Sequence, residues 1–462
     1  MIAPARRAAL DVLQAVESRR ADRPAAIADA RQILPDERDR SLLVELVTGT
    51  VRWQGQLDLV IGHAARRPLS RLDPVVRAIL RLGVYQLLHL DRVPASAVVD
   101  DAVQMTRAAR KTSAAGFVNA VLRTVSRTRR ALPLPPRPAL LPDGAPAARD
   151  AALDYLSGTL SHPRWLVTRW LDRYGFAATE AWARFNNEPA PLTLRPHTLR
   201  IDRTALASRL ASHGVITRET AYAPDGLVVT AGNPLRTPLA DEGVFVVQEE
   251  ASQLVALLAR ARPGERVIDT CASPGGKTLA MAASMQGQGL LVAADVRSRR
   301  VELLRRTLAH AGLPIPVVQL DLLAPLPFPA VFDCVFVDAP CSGLGTIRRD
   351  PEIRWRRTAE DLVGLAAAQG RMLDHAARIV RPGGRLVYAT CSSEPEENEE
   401  VVAAFLGDHG AFAPDASAVS ALPGSGAPLM NESAQLRTWP WRDGLEAFYA
   451  AAMRRAGDAP AG

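Results

Sequence analysis

Lysine is almost missing from this 462-residue chain: of its 56 basic residues only Lys111 and Lys277 are lysine. The arginine excess, together with abundant alanine, reads as a composition bias and carries little by itself. Lys277 carries more, because a compact ammonium stands where the chain otherwise uses guanidinium. Cysteine is scarce too, at four residues: Cys271, Cys334, Cys341 and Cys391. None forms a Cys-x-x-Cys pair, which argues against a zinc site and against a disulfide framework. Free thiols in a cytoplasmic protein are the expectation. No uninterrupted apolar run is long enough to span a bilayer. The start, Met1-Ile2-Ala3-Pro4-Ala5-Arg6-Arg7, lacks the apolar core of a secretory signal. Neither membrane nor metal is therefore expected.

What is present is an ordinary globular composition, 48% hydrophobic and 23% charged. The net charge of +7 is unevenly placed. Residues 1–150 hold 24 Lys and Arg against 15 Asp and Glu, a surplus of nine, while the remainder is slightly acidic. A basic first third favours a polyanionic partner, most simply nucleic acid, over a merely solvated face.

Residues 1–131 read as all helix. Leu10, Leu13 and Val16 space as one buried stripe, as do Leu42, Leu43, Leu46 and Val47. Longer stripes run from Val76 to Leu88 and from Phe117 to Val125, and Asp73-Pro74 reads as an N-cap followed by proline at the first helical position. Arg123 and Arg127 close the last helix, where they either contact RNA phosphate or complement the helix dipole. A Pro-rich stretch over 132–150 cannot continue a helix and reads as a linker. A small α+β domain follows over 151–243, with a Trp-bearing helix (Trp165, Trp170, Trp182) and short strands at 192–195 and 227–229. From 244 to 456, strands and helices alternate as in a doubly wound parallel sheet. Asp269, Asp295, Asp321, Asp338 and Cys391 fall at or just beyond strand ends, where ligands bind in such sheets.

The first of these strands leads into Asp269-Thr270-Cys271-Ala272-Ser273-Pro274-Gly275-Gly276-Lys277-Thr278. A P-loop needs glycine where this chain has Cys271, and a dinucleotide fingerprint needs Gly-x-Gly-x-x-Gly, which is lacking. What remains is a tight turn that lets a ligand approach the backbone. Asp295 suits ribose hydroxyls and Asp321 an adenine amino group. The set suits S-adenosyl-L-methionine better than a nucleoside triphosphate. Two further phrases, Asp338-Ala339-Pro340-Cys341-Ser342-Gly343 and Ala389-Thr390-Cys391-Ser392-Ser393, each follow a strand. Two nucleophilic thiols beside a cofactor turn point to covalent catalysis on an electron-poor ring. Cys334, inside an apolar strand, is expected to be inert packing.

With these residues in view, the chain closely resembles the Sun/Fmu family of bacterial RNA cytosine-5 methyltransferases. The turn 269–278 is similar to the family's cofactor loop. Asp338 to Arg349 looks like its fourth motif, and Tyr388 to Ser392 with Glu396, Asn398 and Glu399 looks like its sixth. Gln248 to Gln253 resembles the segment before the cofactor strand, and the N-terminal helices resemble the RNA-binding domain shared with NusB. The ending Trp441-Arg442-Asp443-Gly444-Leu445-Glu446-Ala447-Phe448-Tyr449 departs from the usual Asp-Gly-Phe-Phe.

The resemblance implies a NusB-like bundle, a small α+β domain and a Rossmann-like class I methyltransferase domain. It implies methyl transfer to C5 of a cytosine in 16S rRNA, with the same chemistry on tRNA, or an RNA-binding regulator with a vestigial methyltransferase, as alternatives. Cys271, Ala272, Ser273, Pro274, Gly275, Gly276, Lys277, Asp295, Asp321 and Asp338 would hold the cofactor. Spacing does not say which cysteine attacks. The Pro-Cys nucleophile of DNA cytosine methyltransferases favours Cys341, whereas the Sun/Fmu resemblance implies that Cys391 attacks and Cys341 helps release the product. Asp338 would contact the base. Arg348 and Arg349 would hold RNA phosphate or brace their loop. RNA is the expected partner, and the chain is expected to act as a monomer.

Overall fold

The computed structural model describes residues 2–422 and 424–457. It divides into two compact units, one of Met1–Glu188 with Asp350–Arg356, the other of Pro189–Arg349 with Arg357–Gly462.

The first unit is helical. Helices Pro4–Glu17, Arg23–Ile33, Glu37–Arg52, Gln54–Ala65, Pro74–His89, Ala95–Ala108 and Ala115–Thr128 surround one core. That core is built from the stripes seen in sequence: Leu10, Leu13, Leu43, Leu46, Ile79, Leu80, Val118, Leu122 and Val125 are all buried in it. Asp73 caps its helix as expected, accepting from the backbone of Val75 and Val76. Leu132 and Leu134 of the Pro-rich stretch pack onto the same core. Helix Arg164–Asn187 is broken at Gly175, whose φ of 75° belongs to the left-handed side. The break lets Trp170 and Trp182 stack at 3.8 Å.

The short segment Asp350–Arg356 folds as part of this unit. Arg23 pairs with Glu352 at 2.6 Å and with Asp350 at 2.8 Å. Arg354 is fully buried and donates to the carbonyls of Ser161 and Asn186 and to Asn187 Oδ1. Trp355 Nε1 donates to Val51 O at 2.8 Å.

The second unit holds two sheets. The smaller has strands β1 (Thr193–Pro196), β2 (Ile216–Glu219), β3 (Leu227–Ala231) and β4 (Phe245–Val247), antiparallel in the order β2-β3-β1-β4. Leu194, Leu227 and Phe245 face Leu206 and Leu210 of helix Arg203–Ser212.

The larger sheet holds β5 (Arg266–Asp269), β6 (Leu290–Asp295), β7 (Val317–Gln319), β8 (Phe332–Asp338), β9 (Val380–Thr390), β10 (Phe412–Pro414), β11 (Gln435–Arg437) and β12 (Tyr449–Arg455). Its order is β10-β12-β9-β8-β5-β6-β7, with β11 beside β12. The five strands expected from sequence run parallel, and β10–β12 add an antiparallel edge. The chain leaves β5 towards β6 on one side and returns through β8 on the other, so the switch point lies at the carboxyl ends of β5 and β8. Because β12 runs against β9, with Tyr449 opposite Thr390, the residues entering β12 arrive at that same end.

Candidate active site

Strand register brings the acids of the motifs together. Asp269 at the end of β5 lies opposite Phe336 of β8 and Ala293 of β6, and Asp338 at the end of β8 lies opposite Ala389 of β9. Asp269 is fully buried, and Oδ2 accepts from Thr278 Oγ1 at 2.6 Å. Its Oδ1 is buried without a hydrogen bond of ordinary geometry. Burial pushes this carboxyl up to about 7, and the nearby Asp338 adds to the rise.

The turn after β5 then folds over. Ala272 N donates to Ala294 O at 2.8 Å, and Ser273 N to Asp295 Oδ2 at 3.3 Å. Gly275 stands at φ 112°, and a Cβ there would lie 3.1 Å from Leu304 and 3.3 Å from Thr307. The chain thus approaches helix Ser298–His310 as only glycine allows. Gly276 opens helix Gly276–Ser284, and its carbonyl accepts from Arg195 at 2.7 Å. A buried carboxylate oxygen at Asp269 without a partner of ordinary geometry, a second buried acid at Asp295 and a turn that ends on two glycines fit a nucleoside-containing cofactor. Asp321 lies beyond β7, exposed, with its carboxylate on Leu323 N. Cys271 is held up as a thiol by burial and the surrounding carboxylates.

Lys277 reaches from this helix to Asp338, with Nζ 2.6 Å from Oδ2 and 5.8 Å from the centre of the Phe448 ring. Burial disfavours its charge, but Asp338 outweighs that and leaves Lys277 above its ordinary range. The two catalytic candidates meet one step further on: Cys341 Sγ lies 3.4 Å from Cys391 Sγ. Their common hydrogen bond, and then burial, hold Cys341 well above the ordinary thiol range. Cys334 donates to Ala259 O inside the core and is pushed up to about 11 by burial.

Several supporting residues were not singled out by sequence reasoning. Glu397, fully buried, accepts from Ser342 N at 2.7 Å, from Gln369 Nε2 at 3.0 Å and from Ser392 Oγ. Asn398, read only as part of the sixth motif, pairs with Thr390 Oγ1 and donates to Ser392 O at 3.0 Å. Arg357 donates to the carbonyls of Ser342 and Cys341 at 2.9 and 3.2 Å. Gly345 N donates to Cys391 O at 2.9 Å, and Gly345 O accepts from Ala447 N at 3.1 Å. Arg348 donates to Pro189 O at 2.9 Å; Arg349 donates to Pro191 O and pairs with Glu446 at 2.8 Å. Arg123 and Arg127 are exposed on helix Ala115–Thr128 of the first unit.

Residues 256–454 match the family model described as 16S rRNA methyltransferase RsmB/F. Residues 3–127 match the NusB family, and 162–236 match the ferredoxin-like domain of RsmF/B-like methyltransferases. The Bacillus subtilis (strain 168) protein described as probable ribosomal RNA small subunit methyltransferase B is 32% identical over 91% of this chain and 92% of its own length. The ribosomal RNA small subunit methyltransferase B of Pseudomonas putida is 35% identical over 80% of this chain and 82% of its own. Among solved structures, that of PH0851 superposes with a TM-score of 0.80 at 25% identity, covering 98% of this chain and 99% of that one. The NusB-like bundle and the methyltransferase sheet expected from sequence are thus both present, and the middle module is ferredoxin-like.

Proposed function

Since this chain belongs to the RsmB/F family of 16S rRNA methyltransferases, we propose that it methylates C5 of one cytosine in small-subunit rRNA through a covalent adduct between Cys391 and C6 of the base. The observation that carries this reading is the 3.4 Å approach of the two sulfurs beside the Lys277–Asp338 pair.

Cytosine C5 is a poor nucleophile until a thiolate adds at C6. The attack is assigned to Cys391, and release to Cys341, on the resemblance of their two phrases to the sixth and fourth motifs of the family. As the C6–S bond forms, the C5–C6 π pair is pushed towards C5. Asp338, oriented by Lys277, accepts from the N4 amino group and so holds the edge of the ring in place for the attack. S-adenosyl-L-methionine, when bound, supplies the electrophilic methyl group that C5 takes. Cys271 to Lys277, Asp295, Asp321 and Asp338 would hold it, with Asp295 on the ribose hydroxyls. Release requires transfer of the C5 proton to a base: the C5–H electron pair re-forms the C5–C6 double bond, and Cys391 leaves C6 as a thiolate with the pair of the broken C–S bond. Cys341, in contact with the departing sulfur, assists this step.

Placement on RNA is separate work. The NusB domain supplies affinity through its basic surface, including Arg123 and Arg127. Arg348 and Arg349 hold the shape of the cysteine loop through Pro189, Pro191 and Glu446, and a phosphate contact by either would add to that role. The target base leaves its stack to reach Cys391.

Bisulfite sequencing of total RNA from cells with and without the protein tests the substrate: one 16S rRNA 5-methylcytosine should disappear. In vitro, Cys341→Ala should accumulate a protein–RNA adduct stable in denaturing gels, and Cys391→Ala should give neither adduct nor methylation. An unchanged 16S pattern, or full turnover by Cys391→Ala, would overturn the reading.

A further inference from the structure

The 3.4 Å approach of two sulfurs on separate loops needs something that holds the loops together. Cys341 stands in the loop after β8 and Cys391 in the loop after β9. The residues next to them meet at one carboxylate. Ser342 N and Ser392 Oγ both donate to Glu397, Ser342 N at 2.7 Å, and the two serine hydroxyls lie 3.1 Å apart. Gln369 fills the remaining space, with Nε2 at 3.0 Å from both Glu397 Oε1 and Pro340 O. Glu397 itself is anchored: Tyr388 Oη donates to its carbonyl at 2.7 Å, and its own N–H donates to Glu394 O. No part of Glu397 is exposed.

We infer that Glu397 is a positioning residue for the reaction, a buried clamp that ties the Cys341 loop to the Cys391 loop and sets the distance between their sulfurs. The inference rests on the reading that both thiols act in one catalytic cycle. A carboxylate suits this place because it only accepts, and three donors from three parts of the chain converge on it. Glu397→Ala removes all three bonds and frees each loop to drift by the fraction of an ångström that bond formation at C6 does not tolerate.

The test compares the full-length enzyme with Glu397→Ala, Glu397→Gln and Ser392→Ala. Glu397→Ala should lower kcat for RNA methylation about 100-fold while KM for RNA stays within about twofold. Glu397→Gln keeps a carbonyl acceptor for Ser342 N and should recover about tenfold of that loss. A second readout needs no RNA. Diamide, a two-electron oxidant, takes two hydrogens from the thiol pair and leaves a Cys341–Cys391 disulfide, followed by peptide mass analysis. Glu397→Ala should slow this closure about tenfold, because disulfide formation depends on thiol separation and direction. Ser392→Ala, which removes one bond of the three, should slow it less and stands in if Glu397→Ala does not fold. A clamp-free variant that closes the disulfide at the wild-type rate and keeps kcat would overturn the inference. If the wild-type protein methylates no cytosine while the disulfide rates still separate, the clamp stands and the cytosine reading falls. If cytosine is methylated and both the disulfide rate and kcat of the clamp-free variant match wild type, the reverse holds.

Discussion

Gly345→Ala is the sharpest perturbation the cysteine loops offer. An added Cβ at Gly345 would lie 1.8 Å from Ala447 O and 2.7 Å from Cys391 O, where real Cβ contacts do not fall below 3.0 Å. The backbone around Ala447 would have to retreat by at least about 1.2 Å, the gap between 1.8 and 3.0 Å. That retreat breaks two backbone hydrogen bonds, Gly345 N to Cys391 O at 2.9 Å and Ala447 N to Gly345 O at 3.1 Å. Each contributes about 1 kcal/mol net, and residual strain adds a similar amount, so the loss of stability should be about 2–4 kcal/mol. Catalysis should suffer more than stability. The first bond holds the carbonyl of Cys391 itself, and a shift of about 1 Å at a reacting atom costs on the order of 100-fold in rate. Single-turnover transfer of a labelled methyl group to RNA, at saturating RNA and cofactor, measures the rate, and urea denaturation measures the stability. Gly364→Ala is the matched control. Gly364 is exposed on helix Ala359–Ile379 with open space around its would-be Cβ, so the change should be neutral or stabilise by up to about 1 kcal/mol. Wild-type rate and stability in Gly345→Ala would refute the reasoning.

Two further outcomes follow from buried charges. Asp269 is raised to about 7 against an unfolded value of 3.8, so its contribution to stability is complete at low pH and is lost as the pH rises through about 7. Without cofactor, the wild type should lose about 2–3 kcal/mol relative to Asp269→Asn between about pH 5 and about pH 8, measured by denaturant titration; parallel pH profiles would contradict this. Arg354→Met leaves the carbonyls of Ser161 and Asn186 and Asn187 Oδ1 without their buried donor and should cost about 3–5 kcal/mol by the same measurement; an unchanged midpoint would show that these bonds contribute nothing.

Much of the fold was legible because its signals are local. Helical stripes such as Val76–Leu88 and the cap at Asp73 are written within a few turns of chain. Acids ending successive parallel strands marked the crevice, since strand ends in a doubly wound sheet share one side. The antiparallel edge was less visible. β10 and β11 are three residues each, and the Ala-rich β12 has no alternation to betray a strand. Glu397 was hidden for another reason: it stands in the acidic run Glu396 to Glu400 and looks solvated, whereas Gln369 and Ser342, 28 and 55 residues away, bury it. The roles of Asp350, Glu352 and Arg354 were hidden in the same way, because their partners stand far off along the chain in the helical unit.

The embedding of Asp350–Arg356 bears on how this protein can be divided. Three family models meet it as three successive modules, which suggests that a single cut could separate RNA binding from chemistry. No single cut does. A chain ended after Glu188 lacks the side chains that occupy Arg23 and Val51, and one begun at Pro189 carries Arg354 and Trp355 away from the groups they bond. Shuffling between relatives therefore has to exchange both stretches as one inheritable piece, and the two halves of the gene are obliged to change together.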